Sequence, residues 1–126
     1  MASPLGFNGG LTISMQVSNL DRAMAFYREV MGFTFLYKVD AIAWAELATE
    51  CKGVNIGLSQ VEKPTVGAGP VPTFGVKDIA AARKRLESSK VKFDGPTQEI
   101  PGMVKLATFF DPDGNALMLF EDLQGR

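Results

Sequence analysis

The sequence predicts an α+β fold made of two modules, each with the element order β-α-β-β-β. An internal repeat is the first observation behind this prediction, because segment 17–20 (VSNL) returns as segment 76–79 (VKDI), 59 residues later. The other two are the helical spacing of apolar residues after each copy and the strand-like segments that follow each helix. One helix and four strands cannot cover both faces of a sheet, so two such units have to pair, within one chain or between chains.

Each copy of the repeat is predicted to begin a helix. Asn19 and Asp78 are the expected N-caps, because a short side-chain oxygen there accepts from the free N–H groups of the first turn. Gly32 is the expected end of the first helix, and the second ends near 88–90. Apolar residues at i, i+3 and i+7 direct one face of each helix towards a sheet: Leu20, Ala23 and Tyr27, then Ile79, Ala82 and Leu86. Charged residues of the second helix are expected to face solvent: Arg83, Lys84, Arg85 and Glu87.

Strand-like segments complete the two modules within a single domain, residues 1–126. The first module covers about 10–60, with strands after its helix at 33–39, 41–47 and 54–58. A linker rich in proline and glycine follows at about 61–70. The second module covers about 71–122, with strands at 91–98, 104–110 and 116–121. The last two are joined by segment 111–114 (DPDG), in which proline and glycine favour a tight turn.

Composition excludes several classes of protein. The 126 residues carry 13 Lys and Arg against 14 Asp and Glu, so the chain lacks the basic charge of a general nucleic-acid binder. Its longest apolar runs are far shorter than the roughly 20 residues that a membrane span needs. The first residues have neither the basic start nor the apolar stretch of a secretion signal. With one cysteine, Cys51, no internal disulfide can form, and we expect a cytoplasmic protein.

The absence of histidine narrows the chemistry further. No His occurs in the chain, so Ser-His-Asp and Cys-His catalysis and imidazole-based metal sites are excluded. Cys51 consequently has no imidazole to activate it, and neighbouring Lys52 alone is weak support for a thiolate.

Two segments resemble the vicinal oxygen chelate superfamily, which includes glyoxalases, bleomycin-resistance proteins and extradiol dioxygenases. They are segment 11–33 (LTISMQVSNLDRAMAFYREVMGF) and segment 109–115 (FFDPDGN), supported by the repeat of 59 residues. The resemblance implies two βαβββ modules whose curved, mixed sheets form a cup, with the helices on the outer face. It also implies a homodimer.

Many enzymes of this superfamily hold a divalent metal ion in the cup with His, Glu or Gln ligands. The resemblance carries those ligand positions to Thr12, Gly57, Val71 and Met118 of this chain. None of these residues offers a carboxylate or an imidazole, which such ions require. We therefore expect no metal and no other cofactor.

Strand alternation predicts which side chains line the cup. They are Thr12, Ser14 and Gln16 on the first strand, Val71, Thr73 and Gly75 on the first strand of the second module, and Ala116, Met118 and Phe120 on the last strand. This mixed lining is typical of a pocket for an organic ligand, although a narrow cup filled by its own side chains is the alternative.

Aromatic residues and one carboxylate extend the candidate site. Trp44 is expected near Phe35 and Tyr37, where a flat ligand could stack or where the three rings could simply pack in the core. Met103 is a candidate at the mouth of the cup, and packing into a gap is the alternative. Glu46 shares a strand face with Trp44 and is a candidate general base or partner for a cationic ligand; exposure on an edge strand is the alternative.

The leading functional hypothesis is binding of a small or medium organic molecule without a metal, such as antibiotic sequestration of the bleomycin-resistance type. We expect no nucleic-acid partner and no membrane. The first alternative is a glyoxalase- or dioxygenase-like enzyme with an atypical metal site or with Glu46 as base. The second is a structural module that binds no ligand.

Overall fold

The computed structural model describes residues 4–67 and 69–124, and it confirms the α+β class and the order of the two βαβββ modules. The first module consists of β1 (Leu11–Val17), α1 (Leu20–Ala25), β2 (Thr34–Val39), β3 (Trp44–Ala48) and β4 (Val54–Gln60). The second consists of β5 (Thr73–Gly75), α2 (Ile79–Ser88), β6 (Gln98–Ile100), β7 (Val104–Phe110) and β8 (Ala116–Asp122).

Each module forms its own four-stranded mixed sheet. The strand orders are β1-β4-β3-β2 and β5-β8-β7-β6, with the first and last strands of each module parallel and the other neighbours antiparallel. The chain divides into two compact units between Pro64 and Thr65. Each unit is described by itself below.

In the first unit, α1 packs on β3 and β4. Its cap is the expected one, since the Asn19 side chain accepts from the Arg22 N–H at 3.0 Å. A π-helical turn (Phe26–Val30) continues α1 and buries Tyr27 completely, with its hydroxyl 3.5 Å from the Met15 sulfur. Gly32, at φ 75°, ends the helical segment as predicted.

Alternation along β1 separates the two faces of the first sheet. Met15 and Val17 are buried on the side of α1, whereas Thr12, Ser14 and Gln16 are exposed, as the pattern predicts. The same alternation holds in β3 and β4, where the fully buried side chains of Ala45, Leu47, Ile56 and Leu58 join the core under the helix.

In the second unit, α2 packs on β7 and β8. Asp78 caps it by accepting from the Ala81 N–H at 3.1 Å, as expected. The core beneath the helix is made of Ile79, Leu86, Ala107, Phe109, Leu117 and Leu119. Asp111 stabilises the turn between β7 and β8, because its Oδ1 accepts from the backbone N–H groups of Asp113 and Asn115 at 2.9 and 2.8 Å.

Two strand predictions are wrong in their bounds. β3 begins at Trp44 instead of residue 41, because residues Asp40–Ile42 form a 3₁₀ turn and Ala43 adopts a left-handed conformation at φ 50°. β6 is only Gln98–Ile100, whereas a strand was predicted at 91–98. The left-handed Gly95, at φ 75°, and the following proline interrupt that segment.

Arg83 also departs from the prediction of a solvent-facing charge on α2. Its side chain is only 20% exposed, and its guanidinium lies 4.2 Å from the centre of the Phe93 ring. It donates to the Gly95 carbonyl at 2.9 Å and to the Thr97 hydroxyl at 3.1 Å. Arg83 therefore attaches segment 93–97 to α2, because a planar guanidinium can stack and donate at the same time.

Within residues 4–67 and 69–124, neither helix has the length and the apolar character that crossing a bilayer requires.

Candidate functional site

The strongest candidate site of the first unit lies on the side of its sheet turned away from α1, which we name the Glu46 face. The residues that define it are Thr12, Ser14, Gln16, Tyr37, Trp44, Glu46, Asn55 and Gly57.

Strand register brings these residues together. In the central row, Ser14 of β1 is opposite Gly57 of β4, Gly57 is opposite Glu46 of β3, and Glu46 is opposite Tyr37 of β2. Thr12 is opposite Asn55 in the adjacent row. Four strands thus each place polar or aromatic groups around one carboxylate.

Glu46 is the centre of a hydrogen-bond network. Its Oε1 accepts from the Tyr37 hydroxyl at 2.6 Å. Its Oε2 accepts from the Asn55 amide at 2.8 Å and from the Thr12 hydroxyl at 3.1 Å. Only 8% of the residue is exposed, so these neutral donors replace the water that an ionised carboxylate would otherwise bind.

The network changes the acidity of both partners in its shortest bond. The hydrogen bond from Tyr37 lowers the pKa of Glu46 most, with smaller lowering contributions from Asn55, Thr12 and Trp44, and burial opposes them. The same bond to Glu46 is the main cause that raises the pKa of Tyr37. Glu46 is therefore ionised at neutral pH and Tyr37 keeps its proton.

Gly57 makes room for Trp44 on this face. A Cβ atom on Gly57 would run into the six-membered ring of Trp44 and would lie 3.2 Å from a Thr12 methyl group. The indole therefore occupies the space that a side chain of β4 would fill. Trp44 is half-buried and Tyr37 is 45% exposed, so part of both rings stays accessible.

Phe35 does not join the other two aromatic residues on the Glu46 face. An irregularity in the register between Phe35 and Tyr37 pairs Phe35 with the buried Leu47 and Tyr37 with Glu46. Phe35 consequently lies on the helix side, where the Arg28 guanidinium is 5.8 Å from its ring centre. Simple alternation predicts Phe35 and Tyr37 on the same face of the sheet. A bulge of one residue between them places the two side chains on opposite faces.

In the second unit, the side of the sheet turned away from α2 is more apolar. Thr73 of β5 pairs with Met118 of β8, and Gly75 pairs with Phe120, whose ring would lie 2.8 Å from a Cβ atom on Gly75. Met118 and Phe120 are half-buried, and Thr73 is exposed. Met103 lies in the turn before β7, with 49% of its surface exposed.

The residues at the four positions implied for a metal do not fit a divalent ion. The Thr12 hydroxyl is committed to Glu46, Gly57 has no side chain, and Val71 and Met118 offer a hydrocarbon and a thioether. Among the described residues, no group of three or more His, Cys, Asp or Glu side chains could hold a metal ion.

Asn55 is the member of the network that sequence reasoning missed. It lies two residues before Gly57 on β4, so strand alternation alone places it on the same face as Gly57. The pairing of Glu46 with Tyr37 depends on the irregular register of β2 and had no comparable signal.

The fold and site together define a class: a protein of two βαβββ modules with a polar and aromatic sheet face in place of metal ligands. The sequence profile of the Glyoxalase/Bleomycin resistance protein/Dioxygenase superfamily matches residues 11–119. The chain belongs to this superfamily, as the resemblance implied.

Solved structures agree with that assignment. An integron cassette protein from the mobile metagenome of the Halifax Harbour sewage outfall is 25% identical, with a TM-score of 0.75, over 91% of this chain and 99% of that one. TnmS3, an antibiotic-binding protein from Streptomyces sp. CB03234, is 27% identical, with a TM-score of 0.74, over 88% and 93% of the two chains. A glyoxalase/bleomycin resistance protein from the same organism is 29% identical, with a TM-score of 0.67, over 87% and 97%. Among curated proteins, none matches the chain.

Proposed function

We propose that this protein binds a small or medium organic molecule on the Glu46 face, without a metal ion or other cofactor. The observation that carries the proposal is a buried, ionised carboxylate held by three neutral donors beside two accessible aromatic rings. Convergent polar groups next to aromatic surface are typical of ligand sites.

The ligand contacts proposed on this face are Thr12, Ser14 and Gln16 for hydrogen bonds and Tyr37 and Trp44 for ring contacts. Each ring contact contributes about 0.5–1.5 kcal/mol beyond the burial of its area. Ligand contacts of the second unit, predicted from the sequence, stay predictions: Thr73, Met103, Met118 and Phe120. Phe35 is not among these contacts, because it lies on the helix side of the sheet.

Sequestration of an antibiotic is the particular form of binding that we propose. The superfamily includes bleomycin-resistance proteins, and TnmS3 at 27% identity is an antibiotic-binding protein. Sequestration needs no bond to be made or broken. A histidine-free chain whose metal positions carry no suitable donors is compatible with that role.

Trp44 offers a direct test, because it is the only tryptophan in the chain. Its fluorescence should change saturably when metal-free bleomycin or the planar dye 9-aminoacridine is added, and the ligand should raise the melting temperature. Glu50→Gln, which removes an exposed carboxylate of the same unit, is the matched control and should bind like the wild type. Unchanged fluorescence and melting temperature with both probes at millimolar concentration would contradict the proposal and favour a module that binds no ligand.

An enzyme that uses Glu46 as general base is the main alternative. The hydrogen bonds that lower the pKa of Glu46 make it a weaker base, which counts against this alternative. An enzyme with a metal bound away from the usual positions would contain stoichiometric metal when purified without chelator. Elemental analysis therefore tests the metal-dependent enzyme, and one equivalent of bound metal would favour catalysis over sequestration.

We also propose that the protein is a homodimer and acts in the cytoplasm. Exposed apolar side chains of the first unit support an interface between copies, among them Leu36 at 45% and Ile42 at 66% exposure.

A further inference from the structure

We propose that the Glu46 face selects ligands that bring hydrogen-bond donors, and cationic ligands above all. This inference rests on the proposed function and adds the chemical class of the ligand. The inference follows from the directions of the hydrogen bonds on this face. The hydroxyl groups of Thr12 and Tyr37 both donate their hydrogen atoms to Glu46.

Tyr37 and Thr12 illustrate the point. A hydroxyl has one hydrogen to donate and two lone pairs that accept. The Tyr37 hydrogen points to Oε1 of Glu46, and the Thr12 hydrogen points to Oε2. Both residues are exposed. Because their hydroxyl hydrogens are already donated to Glu46, their oxygens can offer a ligand only lone pairs.

The remaining donors of the network are more restricted. The Asn55 amide gives one hydrogen to Glu46 at 2.8 Å, and its second hydrogen is on a half-buried side chain. The Trp44 side chain, whose indole N–H is its one donor, is half-buried. Ser14, at the end of the central row, keeps a hydroxyl free of Glu46 and can serve either role.

The Glu46 face is also negatively charged, which adds to its preference for hydrogen-bond donors. The ion pairs seen in the described part of the first unit join Lys38 to Asp21 and Asp40, at 3.3 and 3.4 Å. Lys38 is opposite the buried Ala45, which places it on the helix side of the sheet. Glu46 is thus neutralised by no cation of this face, and its hydrogen bonds polarise the hydroxyl oxygens towards stronger acceptance.

A flat aromatic molecule with an ammonium or amidinium group fits this arrangement. Its ring would contact Trp44 and Tyr37, and its N–H groups would meet the oxygens of Tyr37 and Thr12. An anionic group on the same ring would face lone pairs and a like charge, which costs binding energy. The protein should therefore bind the cationic compound much more tightly than an anionic compound with the same ring.

Two probes with the same ring system test the inference: 9-aminoacridine, a cation at neutral pH, and acridine-9-carboxylate, an anion. Quenching of Trp44 gives both dissociation constants for the wild type, and we expect the cation to bind at least about tenfold more tightly. Glu46→Gln should remove most of this preference, because the neutral amide can donate to Thr12 and turn its hydroxyl outward. Glu50→Gln should keep the preference, since it removes a carboxylate outside the network.

A second variant protects the test from a misfolded Glu46→Gln protein. Thr12→Val keeps the shape of an exposed side chain and removes one hydrogen-bond acceptor. It should therefore weaken binding of the cationic probe more than binding of the anionic one. Equal affinities for the two probes, or tighter binding of the anion, would overturn the inference and leave the proposed function in place. Failure of both probes to bind would contradict both.

Discussion

At the scale of single residues, the Glu46 network combines neighbours that the sequence predicts with partners that it does not. Trp44 and Glu46 are two apart on one strand, so alternation alone puts them on one face. Tyr37 reaches Glu46 only because β2 has a bulge next to Phe35. Sequence patterns identify faces of strands, whereas cross-strand contacts depend on register, which is set by the folded sheet.

Stability should depend on pH through Glu46. Its folded pKa lies below the ordinary value of 4.5, so its stabilising contribution is complete above that value and is lost as pH falls through the folded pKa. We expect Glu46→Gln to lower the free energy of unfolding by about 1–3 kcal/mol at neutral pH, since bonds to a charged acceptor are lost. The difference from the wild type should shrink as the pH falls through the lowered pKa of Glu46, where the carboxylate is protonated.

Urea unfolding followed by circular dichroism at several pH values measures this difference. The exposed Glu50→Gln is the control and should stay within about 0.5 kcal/mol of the wild type. A Glu46→Gln variant that is as stable as the wild type at neutral pH would contradict the role given to the network.

Gly57 should tolerate no side chain while Trp44 is present. Gly57→Ala forces the new methyl group against the indole, and we expect a loss of about 1–3 kcal/mol together with a shift of the Trp44 emission maximum. Phenylalanine lacks the two indole atoms nearest to the new methyl, so Gly57→Ala should cost less in a Trp44→Phe background. Equal costs in the two backgrounds, from a double-mutant cycle, would show that the ring does not lie over Gly57.

At the scale of elements, capping and helix faces could be predicted, and the segment after α2 could not. Asn19 and Asp78 cap the helices as their residue types predict. Segment 91–97 has an apolar pattern typical of a strand, yet only Phe93 forms an isolated bridge, to Phe109. Gly95 and the following proline interrupt the strand pattern, and Arg83 then holds the segment against α2 through contacts that the sequence does not indicate.

Arg83→Lys should loosen that segment selectively. Lysine keeps the charge but cannot stack over Phe93 and donate to Gly95 and Thr97 at once, so we expect a loss of about 1–2 kcal/mol. Amide hydrogen exchange should rise in 93–97 more than in β7. Arg85→Lys, at an exposed position of the same helix, is the control; an equal effect from it would disprove the specific role of Arg83.

At the scale of the whole molecule, the repeat predicts two modules of one plan but not their chemical divergence. Both sheets have the same strand order, and in both a glycine lies beneath an aromatic ring: Trp44 over Gly57 and Phe120 over Gly75. The first module has gathered polar groups around a carboxylate, whereas the corresponding face of the second is mainly apolar. The two faces differ in chemistry through individual residues, and the repeat pattern does not indicate these differences.

The homodimer is the prediction that belongs to this scale. Sedimentation equilibrium should give twice the chain mass of 13.6 kDa at micromolar concentration. Ile42→Lys, on an exposed apolar residue, should weaken association if this part of the first unit lies in the interface. A mass of one chain at all concentrations would contradict the prediction.

The indole above Gly57 also fixes an order of events for anyone who wants to redesign this protein as a metalloenzyme. A carboxylate or imidazole installed at position 57 would collide with the tryptophan before it could reach an ion. Trp44 has to be replaced by a smaller residue first. If position 57 is changed first, the new side chain collides with the indole and destabilises the fold. In this chain, an ion-binding side chain at position 57 therefore needs at least two changes, one at Gly57 and one at Trp44.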